Sequence, residues 1–324
     1  MSQTSALPEI SVIIPAFNAE RVLGLQLEAL ATQEGAPEFD VVVVDNNSTD
    51  GTAALVERTA DRVSYPLRVV TAVVHQGPGY ARNVGVAAAR ADRLMFADAD
   101  DVVSRWWVRN GARAFSVTSL WSGGAQLMSD ADMTGGLEDI RAAMSDTADW
   151  TDVVPGDLRD AFPVLMGGDF GATRDVYTRV GGFDISLGGV YEDNDFGVRA
   201  HRLGIAVDEA PAVRIAFRGK WDLRFRTRLA RRSAYAHALV ADRYGLNARS
   251  HFPNPWRELA RTTGSAALMA AGHKPRDWPG VWMRLNTAAG HAWGKAEAHV
   301  PWKRRPASAL GVGMAITRQG EERA

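Results

Sequence analysis

Two groups of carboxylates stand out by their spacing. Asp98-Ala99-Asp100-Asp101 follows the apolar run Arg93-Leu94-Met95-Phe96, and Glu192-Asp193-Asn194-Asp195 follows the glycine-rich Gly181-Gly182-Phe183-Asp184. Hard oxygens spaced like those of Asp98 and Asp100 suit Mg²⁺ or Mn²⁺ and leave positions for phosphate oxygens and water. A cation held this way can neutralise a diphosphate leaving group. A second carboxylate cluster can supply a general base. Mutual repulsion would raise one of its pKa values, and a nearby cation such as Arg199 would lower it. Each cluster also has a plainer reading: a turn or cap for the first, a solvated helix N-terminus for the second.

The elements that must position these groups follow from the apolar runs. Ile10 to Ile14 and Val41 to Val44 are β-branched runs that predict strands buried on both faces. Leu67 to Val74 and Arg93 to Phe96 predict two more. Between them, Asn18 is expected to cap a helix that carries Leu23, Leu27 and Leu30 on one face. Ser48-Thr49-Asp50 is expected to cap a helix over Thr52–Thr59, and a third helix is expected over Tyr80–Arg90. Strand alternating with helix predicts an open, mostly parallel α/β sheet with right-handed crossovers. Ligands bind such sheets at the carboxyl ends of the strands. Those ends carry Pro15-Ala16-Phe17-Asn18, Asp45-Asn46-Asn47 and Asp98 to Asp101, so three polar clusters converge on one edge. Residues 120–165, rich in Gly, Ser, Asp and Met, read as loops with short helices. Residues 211–244 hold a basic helical stretch with Arg224, Arg228 and Arg231 at helical spacing.

Composition narrows the chemistry further. The 324 residues include no cysteine, which excludes disulfides, thiolate nucleophiles and cysteine-ligated metals. The seven histidines have no ligand spacing. No run approaches the roughly 18 apolar residues of a membrane span. Met1–Glu9 lacks a basic and apolar leader pattern, so the expected location is cytoplasmic. The net charge of −1 hides an asymmetry: residues 1–212 hold 16 Lys+Arg against 31 Asp+Glu, and residues 213–324 hold 21 against 7. Two domains are therefore expected, with a boundary at 212/213.

Six ordered segments complete the pattern: Ser11–Asn18, Val43–Thr52, Ala81-Arg82-Asn83-x-Gly85, Asp98–Asp101, Gly181–Asp184 and Glu192-Asp193-x-Asp195. Together they closely resemble the family 2 glycosyltransferases of the GT-A fold, over residues 10–205. The resemblance implies a Rossmann-like, mostly parallel sheet, here with a mainly helical C-terminal extension. It implies an inverting transferase that moves one sugar from a nucleotide-diphosphate donor, most often a UDP-sugar, to an acceptor hydroxyl on a small molecule, glycan or lipid carrier. Under it, Pro15, Ala16, Phe17 and Asn18 line the donor pocket. Asp45 accepts a hydrogen bond from the base, and Arg82 approaches the base or ribose. Asp98 lies near the ribose and, with Asp100, at the Mn²⁺ or Mg²⁺ site. Gly168 and Asp169 are counted with the donor-binding residues; Asp169 stands where the family often has Asn. Asp193 is the general base, with Glu192 beside it. Many relatives add a late His to the metal site, but Ile215–Lys220 has none. Arg218 and Lys220 would instead add charge to the diphosphate. The processive-synthase Arg-Trp pattern is absent, which favours single addition.

Two rivals differ in class. A sugar-phosphate nucleotidyltransferase needs a Gly-rich loop after the first strand, where Pro15–Asn18 has no glycine. A catalytically silent nucleotide-sugar-binding partner subunit would not need Asp98, Asp100 and Asp193 intact. The basic, Trp-rich region 213–324 reads either as a packed helical subdomain or oligomer contact, or as a peripheral dock on an anionic membrane. No nucleic-acid recognition motif is present.

Overall fold

The computed structural model describes residues 7–219, 222–300 and 309–314. The chain divides into two compact units. The first holds residues up to Ile185, then Glu192–Gly219 and the segment from Ala309; the second holds Ser186–Tyr191 and Lys220–Ser308.

The first unit is a mixed α/β layer structure. Its strands are β1 (Ile10–Ala16), β2 (Phe39–Asp45), β3 (Leu67–Thr71), β4 (Arg93–Ala97), β5 (Val102–Val103), β6 (Leu120–Met128), β7 (Asp169–Thr173) and β8 (Asp208–Arg218). They form one sheet in the order β3-β2-β1-β4-β7-β6-β8-β5. The pairs β3/β2, β2/β1, β1/β4 and β6/β8 are parallel; β4/β7, β7/β6 and β8/β5 are antiparallel. Around the sheet lie α1 (Leu23–Ala31), α2 (Thr52–Ala60), α3 (Pro78–Ala88), α4 (Trp107–Phe115), α5 (Leu137–Ala143), α6 (Arg174–Val180) and α7 (Glu192–Arg202).

The β-branched runs form strands because both of their faces are covered. Val12, Ile14, Val41 and Val43 join one core cluster with Leu23, Leu27 and Leu30 of α1. Ile13, Val42 and Val44 join the other, with Tyr80, Ala81 and Val84 of α3 and Phe96 of β4. Alternate residues of one strand thus feed two cores, the two-sided burial that continuous apolar strands require.

Four local expectations are corrected. Leu120–Met128 is a strand rather than loop, disguised by Gly123-Gly124, where its register with β8 shifts. Residues 211–218 belong to β8, so the basic helix begins only at Leu223, and the expected boundary at 212/213 falls inside a strand. β3 ends at Thr71. The Asn46 side chain then takes the carbonyls of Ala72 and His75, and the chain leaves the sheet with Val73 and Val74 exposed. Asn18 caps nothing: Val22 occupies the N-cap of α1, and the Asn18 side chain instead accepts from Thr49 N.

The second unit is helical, built from α8 (Leu223–Arg243), α9 (Pro255–Ala270) and α10 (Trp278–Ala298). The helices α8 and α10 approach closely; a Cβ at Gly290 would stand 2.1 Å from the Arg231 carbonyl. The segment before α7 is fixed to α8, since Tyr191 Oη meets His237 Nδ1 at 2.6 Å and Arg232 donates to the Gly188 carbonyl at 2.7 Å. Burial, with His251 and His291 nearby, pulls the His237 imidazole down to about 3, so this link is neutral at ordinary pH.

Candidate active site

Parallel pairing brings the first two polar clusters together. Ala16 at the end of β1 stands in register with Asp45 at the end of β2. Asp45 Oδ1 accepts from Ser48 N at 3.1 Å, and Ser48 Oγ accepts from Asn18 N at 3.0 Å. Pro15, Ala16, Phe17, Asn18 and Asp45 therefore share one rim, with the Phe17 ring 53% exposed on it. Asn46 has a positioning role that its spacing did not reveal: its Oδ1 accepts from Gly77 N at 2.7 Å, which holds the turn into α3.

Arg82 of α3 joins the two carboxylate clusters. Its Nη2 donates to Asp98 Oδ1 at 2.7 Å and its Nη1 lies 3.5 Å from Glu192 Oε1. The guanidinium is buried and sits 5.4 Å from the Phe183 ring centroid. Burial disfavours its charge, but the carboxylates of Asp98, Glu192 and Asp193 outweigh that and raise its pKa. Burial pushes Glu192 up to about 7, with neighbouring Asp193 adding to the rise and Arg82 opposing it. Burial also raises Asp193, against the pull of Arg82. Asp193 Oδ2 accepts from Gly167 N at 3.2 Å, and its Oδ1 accepts from Asn194 N at 2.8 Å.

Gly167-Gly168 lies against both clusters. A Cβ at Gly167 would stand 2.9 Å from Asp193 Oδ2 and 3.3 Å from Arg82 Nη2. One at Gly168 would stand 2.8 Å from Asp98 Oδ2. A side chain at either position would crowd these oxygens. Asn83 completes the frame: its Oδ1 accepts from Tyr177 Oη and Phe183 N, and its Nδ2 donates to the Phe183 carbonyl. Its place in the Ala81-Arg82-Asn83-x-Gly85 segment was the available signal for this role.

Arg218, at the end of β8, closes the Asp98–Asp101 loop. Its backbone N donates to Asp101 Oδ1 at 2.9 Å, its Nε to the Asp100 carbonyl at 3.0 Å, and its Nη1 to Asp130 Oδ1 at 2.9 Å. Asp101 is buried and its Oδ2 has no hydrogen-bond partner. Burial, with Asp98 and Asp100 alongside, raises its pKa well above the carboxylate range. Sequence spacing alone assigned Asp101 no separate role.

Asp169 departs from expectation. Its side chain is fully buried, accepts from Trp107 Nε1 at 2.8 Å, and fits only because residue 123 is glycine, whose Cβ would stand 2.1 Å from Asp169 Oδ2. Burial raises its pKa well above the usual range. The structure thus places Asp169 in the sheet interior rather than on the rim. Lys220 lies outside the described residues.

Among the described residues, no three His, Cys, Asp or Glu side chains form a metal cage. The donor set nevertheless fits a cation shared with a ligand. Mg²⁺ is commonly held by one or two carboxylates plus substrate phosphates. Asp98 and Asp100 are part-exposed hard-oxygen donors, and the buried Asp101 Oδ2 beside them has no hydrogen-bond partner.

Residues 11–118 match the family model described as glycosyl transferase family 2. The poly(ribitol-phosphate) beta-N-acetylglucosaminyltransferase TarS of Staphylococcus aureus is 35% identical over 106 residues, covering 32% of this chain and 18% of TarS. The chain thus spans well under half the length of such curated relatives. A mannosyltransferase from Pyrobaculum calidifontis, solved with GDP-Man and Mn²⁺, aligns with a TM-score of 0.60 at 22% identity, over 90% of this chain and 89% of that one. S. aureus TarS 1-349 solved with UDP-GlcNAc aligns at 0.54 and 16% identity, over 89% and 91%. At these identities the structural likeness establishes the GT-A fold. The sequence match to glycosyl transferase family 2 thus lies over residues 11–118, which hold the motif-bearing ends of the parallel strands, and the architecture of the whole chain is that of the GT-A fold.

Proposed function

We propose that the protein is an inverting glycosyltransferase that moves one sugar from a nucleotide-diphosphate donor, with UDP-sugars favoured, to an acceptor hydroxyl. The observation that carries this reading is Arg82, one buried guanidinium paired to Asp98 on one side and Glu192 on the other. It holds a metal-type carboxylate loop and a base-type carboxylate pair beside the same Gly167-Gly168 backbone.

In this reading the nucleoside lies along Pro15–Asn18 with its base at Asp45, and the diphosphate lies toward Asp98–Asp101. Asp98 and Asp100 would hold Mn²⁺ or Mg²⁺, which when bound supplies positive charge at the leaving diphosphate. Asp193 takes the proton of the acceptor hydroxyl. That oxygen forms a bond to the anomeric carbon as the carbon–oxygen bond to the diphosphate breaks, and the electron pair leaves on the phosphate oxygen. Burial suits Asp193 to this task, because a raised pKa makes a carboxylate a stronger base. The Gly167 N–H fixes one of its oxygens. Arg218 links the Asp100 carbonyl and the Asp101 carboxylate to β8 and so steadies the metal-side loop.

The test is a thermal-shift panel of nucleoside diphosphates and sugar nucleotides, with and without Mn²⁺, on the wild type and Asp100→Ala. One sugar nucleotide should stabilise the wild type more when Mn²⁺ is present, and Asp100→Ala should lose that increment. At a ligand concentration about 100-fold above Kd, binding stabilises by about 2.7 kcal/mol. If no nucleotide stabilises the protein, the reading fails. Stabilisation without donor hydrolysis or transfer would instead identify a silent binder.

A further inference from the structure

The helical unit turns the tryptophans of α9 and α10 outward. Trp256, Trp278, Trp282 and Trp293 are 65%, 46%, 57% and 67% exposed. At about 100° per residue, Trp278, Trp282 and Trp293 fall within roughly 60° of one another around α10. The exposed Ala289 and Ala296 lie in the same stripe. Trp278 to Ala296 spans about 27 Å of helix at 1.5 Å per residue. Trp256 and Leu259 of α9 meet Ala289, Trp293 and Ala296 around an apolar cavity of about 510 Å³. Trp293 is apolar across its ring and polar at its tip, where Nε1 donates to Glu297 at 3.1 Å.

Charge selects the occupant of this face. Residues 254–300, which carry α9 and α10, hold 6 Lys+Arg against 3 Asp+Glu. Arg257 follows Trp256 directly, and the chain beyond α10 continues with Trp302-Lys303-Arg304-Arg305. Tryptophan rings favour the boundary between hydrocarbon and headgroups. Basic side chains are drawn to anionic lipid, and stable peripheral binding takes two such signals together. No described helix is long and apolar enough to cross a membrane. We propose that the α9–α10 tryptophan face docks peripherally on an anionic bilayer surface. This inference stands apart from the donor chemistry.

The full chain is co-sedimented with vesicles of phosphatidylcholine alone and with about 30% phosphatidylglycerol, at about 0.1 M and about 0.5 M NaCl. Binding should be about tenfold or more stronger to the anionic vesicles and should weaken at the higher salt. Brominated acyl chains should quench tryptophan fluorescence. The Trp282→Ala/Trp293→Ala variant should lose about tenfold in binding while keeping the wild-type thermal midpoint and nucleotide-induced shift. If that variant does not fold, Trp256→Ala and quenching of the wild type carry the test. Equal binding to both vesicle types, or no quenching, overturns the proposal. A concentration-dependent dimer that Trp282→Ala/Trp293→Ala abolishes, with no vesicle binding, would overturn it in favour of a second copy of this chain.

Discussion

The two units use the same residue types in opposite ways. In the α/β unit a large aromatic cluster is interior: Trp107, Trp121, Phe96, Phe170, Tyr177, Phe183 and Phe196 are all fully buried. In the helical unit the core is made of small residues such as Ala234, Ala238, Ala241 and Ala288, and the tryptophans of α9 and α10 face outward. Charge is inverted as well, with carboxylates gathered on the sheet rim and arginines spread along the helices. An aromatic ring that fills a sheet core contributes to folding. One that remains exposed on a closely packed helix pair contributes little to folding, so its presence calls for a partner.

The sharpest way to break this contrast is to truncate one ring from each unit. Phe170→Ala removes a side chain stacked on Phe96 at 4.1 Å and should cost about 3–5 kcal/mol, measured by denaturant unfolding. If Phe170→Ala costs less than about 1 kcal/mol, the interior reading of this aromatic cluster is wrong. At the rim, Asp193→Asn should leave donor affinity nearly unchanged and cut turnover by about 10² or more. Retention of full turnover would place the base elsewhere.

The next contrast is in pH. Folding raises Glu192 from its ordinary value of 4.5 to about 7, so the folded state binds this proton more tightly than the unfolded chain. Its stabilising contribution is complete below about pH 4.5 and is lost as pH rises through about 7. Unfolding at pH 5 and pH 8 should show the wild type losing stability relative to Glu192→Gln. A constant difference between the two proteins would refute the buried environment. The smallest effect belongs to the helical unit: Trp282→Ala should change stability by no more than about 0.5 kcal/mol in the absence of vesicles, read by the same unfolding curves. A larger loss would mean that this ring is packed in solution.

Much of the site was legible because it depends on strand ends. An apolar run followed by polar residues marks where a parallel strand leaves the sheet, and the ends of β1 at Ala16, β2 at Asp45 and β4 at Ala97 all obey that rule. Arg82 and Glu192 were legible as residue types, but not as partners. Their pairing is a meeting of α3 with the N-terminus of α7, more than 100 positions apart. The strand β6 was hidden because Gly123 serves the neighbouring Asp169 rather than local strand preference. The fate of Val73 and Val74 was hidden because a side chain just past the end of β2, Asn46, donates to the carbonyls of Ala72 and His75 on either side of them.

From one-dimensional pattern alone came the α/β class, the opposite charges of the two halves and the residues that gather on one edge, because periodicity and residue chemistry are local properties; the glycosyltransferase reading came from the resemblance carried by six ordered motifs. Tertiary structure decided which carboxylates are paired and which are buried. It closed Asp169 into the interior, joined two acidic clusters through one arginine and left the tryptophans of α9 and α10 outside. Those outcomes depend on desolvation and on contacts between distant segments, and neither exists until the chain has folded.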